Sequence, residues 1–422
     1  MVGGWISLST PLRLLAIQTS TEVTSEVNVF RTLLESLSQT ARAGNVMLEV
    51  LLLQGVDGRA GNDGRQAAEV FRSIPEVTVC PFDVGKLGRS DTTRVQRLAK
   101  IRDVTAVQLA RPRLLSAARR FQPDLVYSAQ QRWDLRIATP IARALGCPQV
   151  VHLHYTVGPY LGRGMIDTLR GAAMVIAISA YIRDDAIRNG TPAEQVSLVY
   201  NSTPIPPRPT SRDEARHVLR DELGFPANAL LIGMVARLTE NKGQEHLIQA
   251  VLPILRADSR THLLLVGTED PRPRGITERI RETARQHSVI SQVHLLGHRR
   301  DVPRILDGLD IFAHPSRFEP FSLSILEAMA HGLPVVAWRE GGPAEIVADG
   351  QTGFLVEPMD IDGLTAALRS LLDDKCLRAT FGTRGRERVE ATFSPETAAS
   401  AFVAALITTS RANDNSQDKQ VR

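Results

Sequence analysis

Two cations lie five positions apart, Arg237 and Lys242, in the run Gly233-Met-Val-Ala-Arg-Leu-Thr-Glu-Asn-Lys-Gly243. The run follows an apolar strand pattern and precedes a helical one. Such a loop suits a diphosphate. A guanidinium grips two oxygens, an ammonium adds a point charge, and a new helix N-terminus adds amide donors. A solvated loop with ordinary basic residues would read the same way. Two carboxylates follow, Glu319 and Glu327, eight positions apart. Ser322 reads as a helix N-cap, which puts Glu327 in the second turn of a helix and Glu319 on the loop before it. The amides of Phe321, Ser322 and Leu323 would then form an anion nest. Each carboxylate could accept hydrogen bonds from hydroxyl pairs of a sugar or ribose. An exposed helix residue and a turn residue would share this spacing, and spacing alone does not choose. Gly341 and Gly342 allow a tight turn and close backbone approach. Asp360 and Asp362 form an Asp-x-Asp, a pattern some metal-dependent sugar transferases use. A helix beginning near Gly363 makes capping the better reading, so no metal is assigned.

The elements that must hold these residues alternate strand and helix throughout. Apolar strand-like runs occur at 12–17, 46–53, 77–80, 125–127, 150–154, 174–178 and 196–200 in the front half. They recur at 230–235, 261–266, 293–296, 311–314, 334–337 and 354–356 in the back half. Short continuous apolar runs separated by helices are the pattern of parallel sheets covered on both faces. The fold class is therefore α/β, with two doubly wound Rossmann-like units in tandem and ligands expected beyond the carboxyl ends of the strands. The run Pro204-Ile-Pro-Pro-Arg-Pro209 is stiff and extended and reads as the start of an interdomain hinge. The expected domains are 1–205 and 206–393, with a helix at 394–411 and a frayed polar tail at 412–422.

Composition sets outer limits. A chain of 422 residues suggests about two to three domains. A 43% hydrophobic fraction fills real cores and excludes global disorder. Three scattered cysteines do not make a disulfide framework or a zinc cage, which fits a reducing, cytoplasmic setting. No signal peptide or membrane span is expected. Residues 1–205 carry a net charge of +6 and the remainder −2. The clearest basic segment is 94–120, with eight basic residues and one acid. There Val95, Leu98, Ile101, Val104 and Val107 form a helical stripe. That helix either rests its apolar face on the core or lies on anionic lipid. Nucleic-acid binding is not expected, because no recognition motif or aromatic stripe accompanies the charge.

The run from Arg317 to Ala337, followed by Gly341-Gly-Pro-Ala-Glu-Ile-Val347, resembles the retaining glycosyltransferases of the group 1 family. The Arg237/Lys242 loop precedes it in the family's order and spacing. The resemblance is strong over about 230–358 and consistent over most of the front half. It implies a GT-B fold, two Rossmann-like domains with the active site between them, and a final helix near 395–409 returning to the first domain. By that likeness Arg237 and Lys242 bind the diphosphate, Glu327 the ribose and Glu319 the donor sugar. The amides of Phe321, Ser322 and Leu323 assist, and the loop of Gly297, His298 and Arg299 frames the base. His154 matches the family's cleft histidine beside the donor sugar, and His152, two residues earlier on the same strand face, is its rival. Asn201 sits where the family has an Asn-Gly turn. One departure is clear: where many members have Gly-Gly after the first strand, this chain has Thr19-Ser-Thr-Glu-Val-Thr-Ser25.

The implied activity is glycosyl transfer from a nucleoside-diphosphate sugar, UDP first and GDP next, to a glycan or lipid-linked acceptor with retained configuration. His154, Glu319, Arg237 and Lys242 carry it. No cofactor or metal is called for, and residues 94–120 would touch an anionic membrane surface. The alternatives are a non-catalytic sugar-nucleotide-binding protein of the same fold and a sugar-nucleotide epimerase.

Overall fold

The computed structural model describes residues 11–42, 48–57, 66–84, 94–129, 132–158, 163–207, 212–269 and 275–421. The chain forms two compact units, Met1–Asn201 with Pro395–Arg422, and Ser202–Ser394.

In the first unit the strands are β1 (Leu12–Gln18), β2 (Leu48–Val56), β3 (Val77–Asp83), β4 (Leu125–Ala129), β5 (Gln149–Leu153), β6 (Met174–Ala177) and β7 (Val196–Leu198). They pair in the order β3-β2-β1-β4-β5-β6-β7, all parallel. In the second unit they are β8 (Leu230–Val235), β9 (Thr261–Val266), β10 (Val293–Gly297), β11 (Ile311–His314), β12 (Val335–Trp338) and β13 (Gly353–Val356). Their order is β10-β9-β8-β11-β12-β13, again parallel. Both sheets reverse direction of strand addition once, between β1 and β4 and between β8 and β11. In doubly wound sheets the ligand crevice opens at that reversal, at the carboxyl ends of the strands.

The apolar runs became strands because both faces are covered. Leu263, Leu264 and Leu265 are all buried in β9, as are Leu14, Leu15 and Ala16 in β1. Several strands end earlier or later than the apolar runs suggest. The ladder of β6 with β7 stops at Ala177 opposite Leu198, so β6 and β7 end there and not at 178 and 200. Likewise β5 ends at Leu153, which leaves His154 as the first residue beyond it.

Helix Arg94–Phe121 rests its apolar side on the front core through Val107, Leu114 and Ala118. The side chains of Val95, Leu98 and Ile101 lie outside the described residues. The last helix, Pro395–Val421, belongs to the first unit. Its Phe402 meets Tyr127 edge-on, with ring centroids 5.7 Å apart. Helix runs on to Val421 where a frayed tail is expected from 412. An already formed helix extends one residue at a time at little cost, even through polar sequence. The unit boundary at Asn201/Ser202 falls just before the proline run, whose residues 208 and 209 lie outside the described residues. Asp360 caps helix Ile361–Asp373 by accepting from the Gly363 amide at 2.8 Å, as the capping reading expects.

Candidate functional site

In the second unit the switch point lies between β8 and β11, and the loops that leave these strands carry the cations and the first carboxylate. The loop after β8 holds Arg237 and makes a short 3-10 turn, Glu240–Lys242. It ends on Gly243, which starts helix Gln244–Ala257 with φ +80°. A Cβ on Gly243 would sit 1.9 Å from the Pro315 carbonyl oxygen, so only glycine lets the two loops touch. Gln244 donates to the Arg237 carbonyl at 2.8 Å and fixes that turn.

The loop after β11 brings Glu319 onto Lys242. The Lys242 ammonium lies 2.5 Å from Glu319 Oε2. Ser316 Oγ donates to the same oxygen at 3.0 Å, and His314 Nε2 stands 3.5 Å away. Burial alone would raise the Glu319 carboxyl. The His314 contact and the Lys242 charge outweigh it and hold the group well below the usual carboxylate range. Burial pushes His314 down, so it is a neutral neighbour at pH 7. The result is an ionised carboxylate beside an ammonium at the open end of the sheet.

The glycine pair closes the loop from the far side. A Cβ on Gly341 would fall 2.2 Å from the Glu319 carbonyl, and one on Gly342 would fall 2.3 Å from the Phe321 Cα. The Gly342 amide donates to the Glu319 carbonyl at 2.9 Å.

Ser322 caps helix Leu323–Ala330, its Oγ accepting from the Ile325 amide, and it does so at φ +110°, a strained value for a residue with a side chain. The Phe321 ring is buried against Phe393, with ring centroids 5.9 Å apart. Glu327 follows in the second turn, half-buried, and burial raises its carboxyl above the ordinary value.

Gly297 ends β10, two strands from β8, hence about 10 Å across the sheet. The Arg299 guanidinium is engaged by Asp301 at 2.6 and 2.7 Å and by Glu222 at 2.8 Å. A base contact through that side chain would require it to leave both partners.

In the first unit, the two histidines separate. His152 is fully buried, its Nδ1 2.9 Å from the Tyr127 hydroxyl and its ring packed near Phe402. His154 lies just past the strand, with Glu26 from helix Ser25–Arg42 influencing it electrostatically. The loop in place of Gly-Gly is pinned by side chains. Asp134 Oδ1 accepts from the Thr19 amide at 2.7 Å and its hydroxyl at 2.6 Å, and Gln54 donates to the Ser20 carbonyl at 2.7 Å. Glu26, Asp134, His314 and Ser316 were not singled out by sequence. For His314 and Ser316 the signal was there: His314 ends an apolar run, and Ser316 lies between that end and Glu319.

Paired sheets of this order, one carrying a cation–carboxylate contact at its switch point, define a class: two-domain α/β proteins of the GT-B glycosyltransferase type. Residues 229–374 match the family described as Glycosyl transferases group 1, and residues 72–205 match Glycosyltransferase Family 4. The chain belongs to the group 1 glycosyltransferase family.

One relative is the GDP-mannose-dependent monoacylated alpha-(1-6)-phosphatidylinositol monomannoside mannosyltransferase of Corynebacterium glutamicum. It is 36% identical over 194 residues, 43% of this chain and 48% of that one, so the match spans about half the relative's length. The lipopolysaccharide core biosynthesis glycosyltransferase LpsE of Rhizobium meliloti is 26% identical over 83% of this chain and 96% of its own. Among solved structures, Anabaena Alr3699/HepE in complex with UDP and glucose superposes with a TM-score of 0.72 at 23% identity, covering 94% of this chain and 99% of that one. Sucrose-phosphate synthase from Thermosynechococcus elongatus gives 0.72 at 22% identity over 95% and 100%.

Proposed function

We propose that this protein transfers a sugar from a nucleoside-diphosphate sugar to a glycan or lipid-linked acceptor, with the anomeric configuration retained. The observation that carries the reading is the Lys242–Glu319 contact beside Arg237 at the switch point of the second sheet. As the glycosidic bond breaks, negative charge grows on the departing diphosphate. Arg237 and Lys242 stabilise that charge, and the amides of Phe321, Ser322 and Leu323 add donors. Glu319 accepts hydrogen bonds from the transferred sugar, Glu327 from the ribose, and His154 stands against the sugar near the reacting centre. The Gly297 and Arg299 loop borders the base. Protein cations cover the diphosphate in this scheme, so no metal is assigned a role. Relatives named for GDP-mannose and structures holding UDP support the donor class, with UDP placed first and GDP next.

We place the reaction in the cytoplasm, with the outward side of helix Arg94–Phe121 on an anionic membrane. Arg113, Arg119 and Arg120 are exposed there, and so is Leu109, at 75%. Among the described residues no helix is long and apolar enough to cross a membrane. Flotation with anionic liposomes is expected at low salt and to weaken as salt rises. Absence of flotation at low salt would show that this helix does not hold the protein on an anionic membrane.

The test of the reaction is release of nucleoside diphosphate from UDP-, GDP- and ADP-sugars, with proton NMR of the sugar product. Release with an axial donor giving an axial product supports the reading. An inverted product contradicts it. A converted nucleotide sugar without transfer indicates the epimerase, and binding without any turnover indicates a non-catalytic protein.

A further inference from the structure

The loop after β11 holds two residues at backbone angles that cost energy. Phe318 sits at φ +54° and Ser322 at φ +110°, with Glu319 and Phe321 between them. Residues with side chains keep such angles only where their surroundings fix them. Part of the fixing is done by backbone. The Arg317 amide donates to the Asn241 carbonyl at 2.7 Å, and the Gly342 amide to the Glu319 carbonyl at 2.9 Å. The side chain of Phe321 is held by another ring. It meets the ring of Phe393 edge-on, with the planes at 65°.

Phe393 is itself firmly tied. It is 1% exposed and follows helix Lys375–Thr392, with its amide donating to the Val389 carbonyl at 2.9 Å. Its carbonyl accepts from the Thr203 amide at 3.3 Å. The Arg388 guanidinium lies 5.7 Å from its ring centroid. That guanidinium is held in turn by the carbonyls of Ile346 and Glu345, each at 2.8 Å. Those carbonyls belong to the short helix Pro343–Ile346 that follows the Gly341–Gly342 pair. One ring therefore links a long helix, the start of the unit and the glycine turn to the strained loop.

We propose that Phe393 is a positioning residue for the loop that receives the diphosphate. Its ring keeps Phe321 seated, and this keeps the amides of Phe321, Ser322 and Leu323 in their strained arrangement. A loop held off its relaxed angles moves when a support is withdrawn, and an amide moved by about 1 Å loses its bond to a charged oxygen. The proposal deepens the proposed function and rests on its assigning those amides to the diphosphate.

The test compares Phe393→Leu with a control in the same unit, Phe381→Leu. Phe381 is 3% exposed, stacks edge-on with Phe354 at 5.3 Å, and belongs to a core cluster that does not include Phe321. Both variants leave a gap beside a buried ring, so both should lower the melting temperature. Calorimetric titration with UDP and chemical-shift titration with uridine then separate them; GDP and guanosine serve if the wild type takes GDP. Phe393→Leu is expected to bind the diphosphate about 10- to 100-fold more weakly and the nucleoside within about twofold of wild type. Phe381→Leu should bind both as the wild type does. Phe393→Met, which refills the gap with a flexible chain, carries the same readout in a milder form should Phe393→Leu fail to fold. Unchanged diphosphate affinity in folded Phe393 variants overturns the proposal. So does equal weakening of diphosphate and nucleoside, or the same weakening in Phe381→Leu, because either marks a general loosening of the unit. A wild type that binds neither nucleotide overturns the proposed function, and the role of Phe393 with it.

Discussion

Lys242 and Glu319 each make the other's ionised state tolerable in a half-closed loop, and their fates are therefore linked. Lys242→Ala leaves a buried carboxylate without its cation and should lower the melting temperature at neutral pH. Adding Glu319→Gln should recover most of that loss without restoring diphosphate binding. Thermal melts of the single and double variants measure this directly. Asp134 ties the stability of the first unit to pH. Burial pushes its carboxyl up to about 8 despite the hydrogen bonds from Thr19. A carboxyl raised in the folded state contributes stability that is present below its unfolded value near 4 and is lost as pH rises toward 8. Wild type should therefore lose more stability between pH 5 and pH 8 than Asp134→Asn, and parallel melts of the two proteins would show it. Of these residues, sequence exposed Lys242 and Glu319 because their spacing belongs to a recognisable pattern. It was silent on Asp134 and Glu26, whose partners Thr19 and Tyr155 lie 115 and 129 positions away. Nothing local marks a bond of that range.

Loops after β8 and β11 set the site, and glycines decide how closely those loops approach. Gly341→Ala would drive a methyl into the Glu319 carbonyl at a backbone angle of φ +65°. Gly350→Ala also has a positive φ, +69°, but meets nothing within 4 Å. The second variant should cost only the left-handed strain, about 1–2 kcal/mol, and keep nucleotide binding. The first should lose more stability and weaken binding of the donor as well. Denaturant unfolding and nucleotide titration of the pair separate strain from displacement. Strands were legible because each is short, continuous and apolar between helices, so 230–235, 261–266 and 311–314 agree to the residue. Ends were less legible, since a strand stops where its neighbour stops. Thus β7 ends opposite Ala177 whatever residues 199 and 200 prefer.

At the scale of the whole chain, the first unit is built from two distant stretches, 1–201 and the last helix. Phe402 from that helix is fully buried against Tyr127 and His152. Phe402→Ala should cost about 3–5 kcal/mol, and the loss should fall on the first unit. Hydrogen exchange read unit by unit should show faster opening of β4 and β5 with little change in β8 and β11. The return of this helix was not readable from its own pattern, which says only that a helix forms. It followed from the family resemblance, as did the choice of His154 over His152.

In the proposed function, the second unit's switch point holds a nucleoside diphosphate through Lys242 and Arg237. Calorimetric titration of UDP and GDP into the wild type and the Lys242→Ala, Glu319→Gln double variant tests it most directly. The wild type should bind one of the two nucleotides selectively, and the folded double variant should bind it about 10- to 100-fold more weakly, the worth of one charge-assisted contact. A folded wild type that binds neither nucleotide, or a double variant that binds as tightly as the wild type, would contradict it.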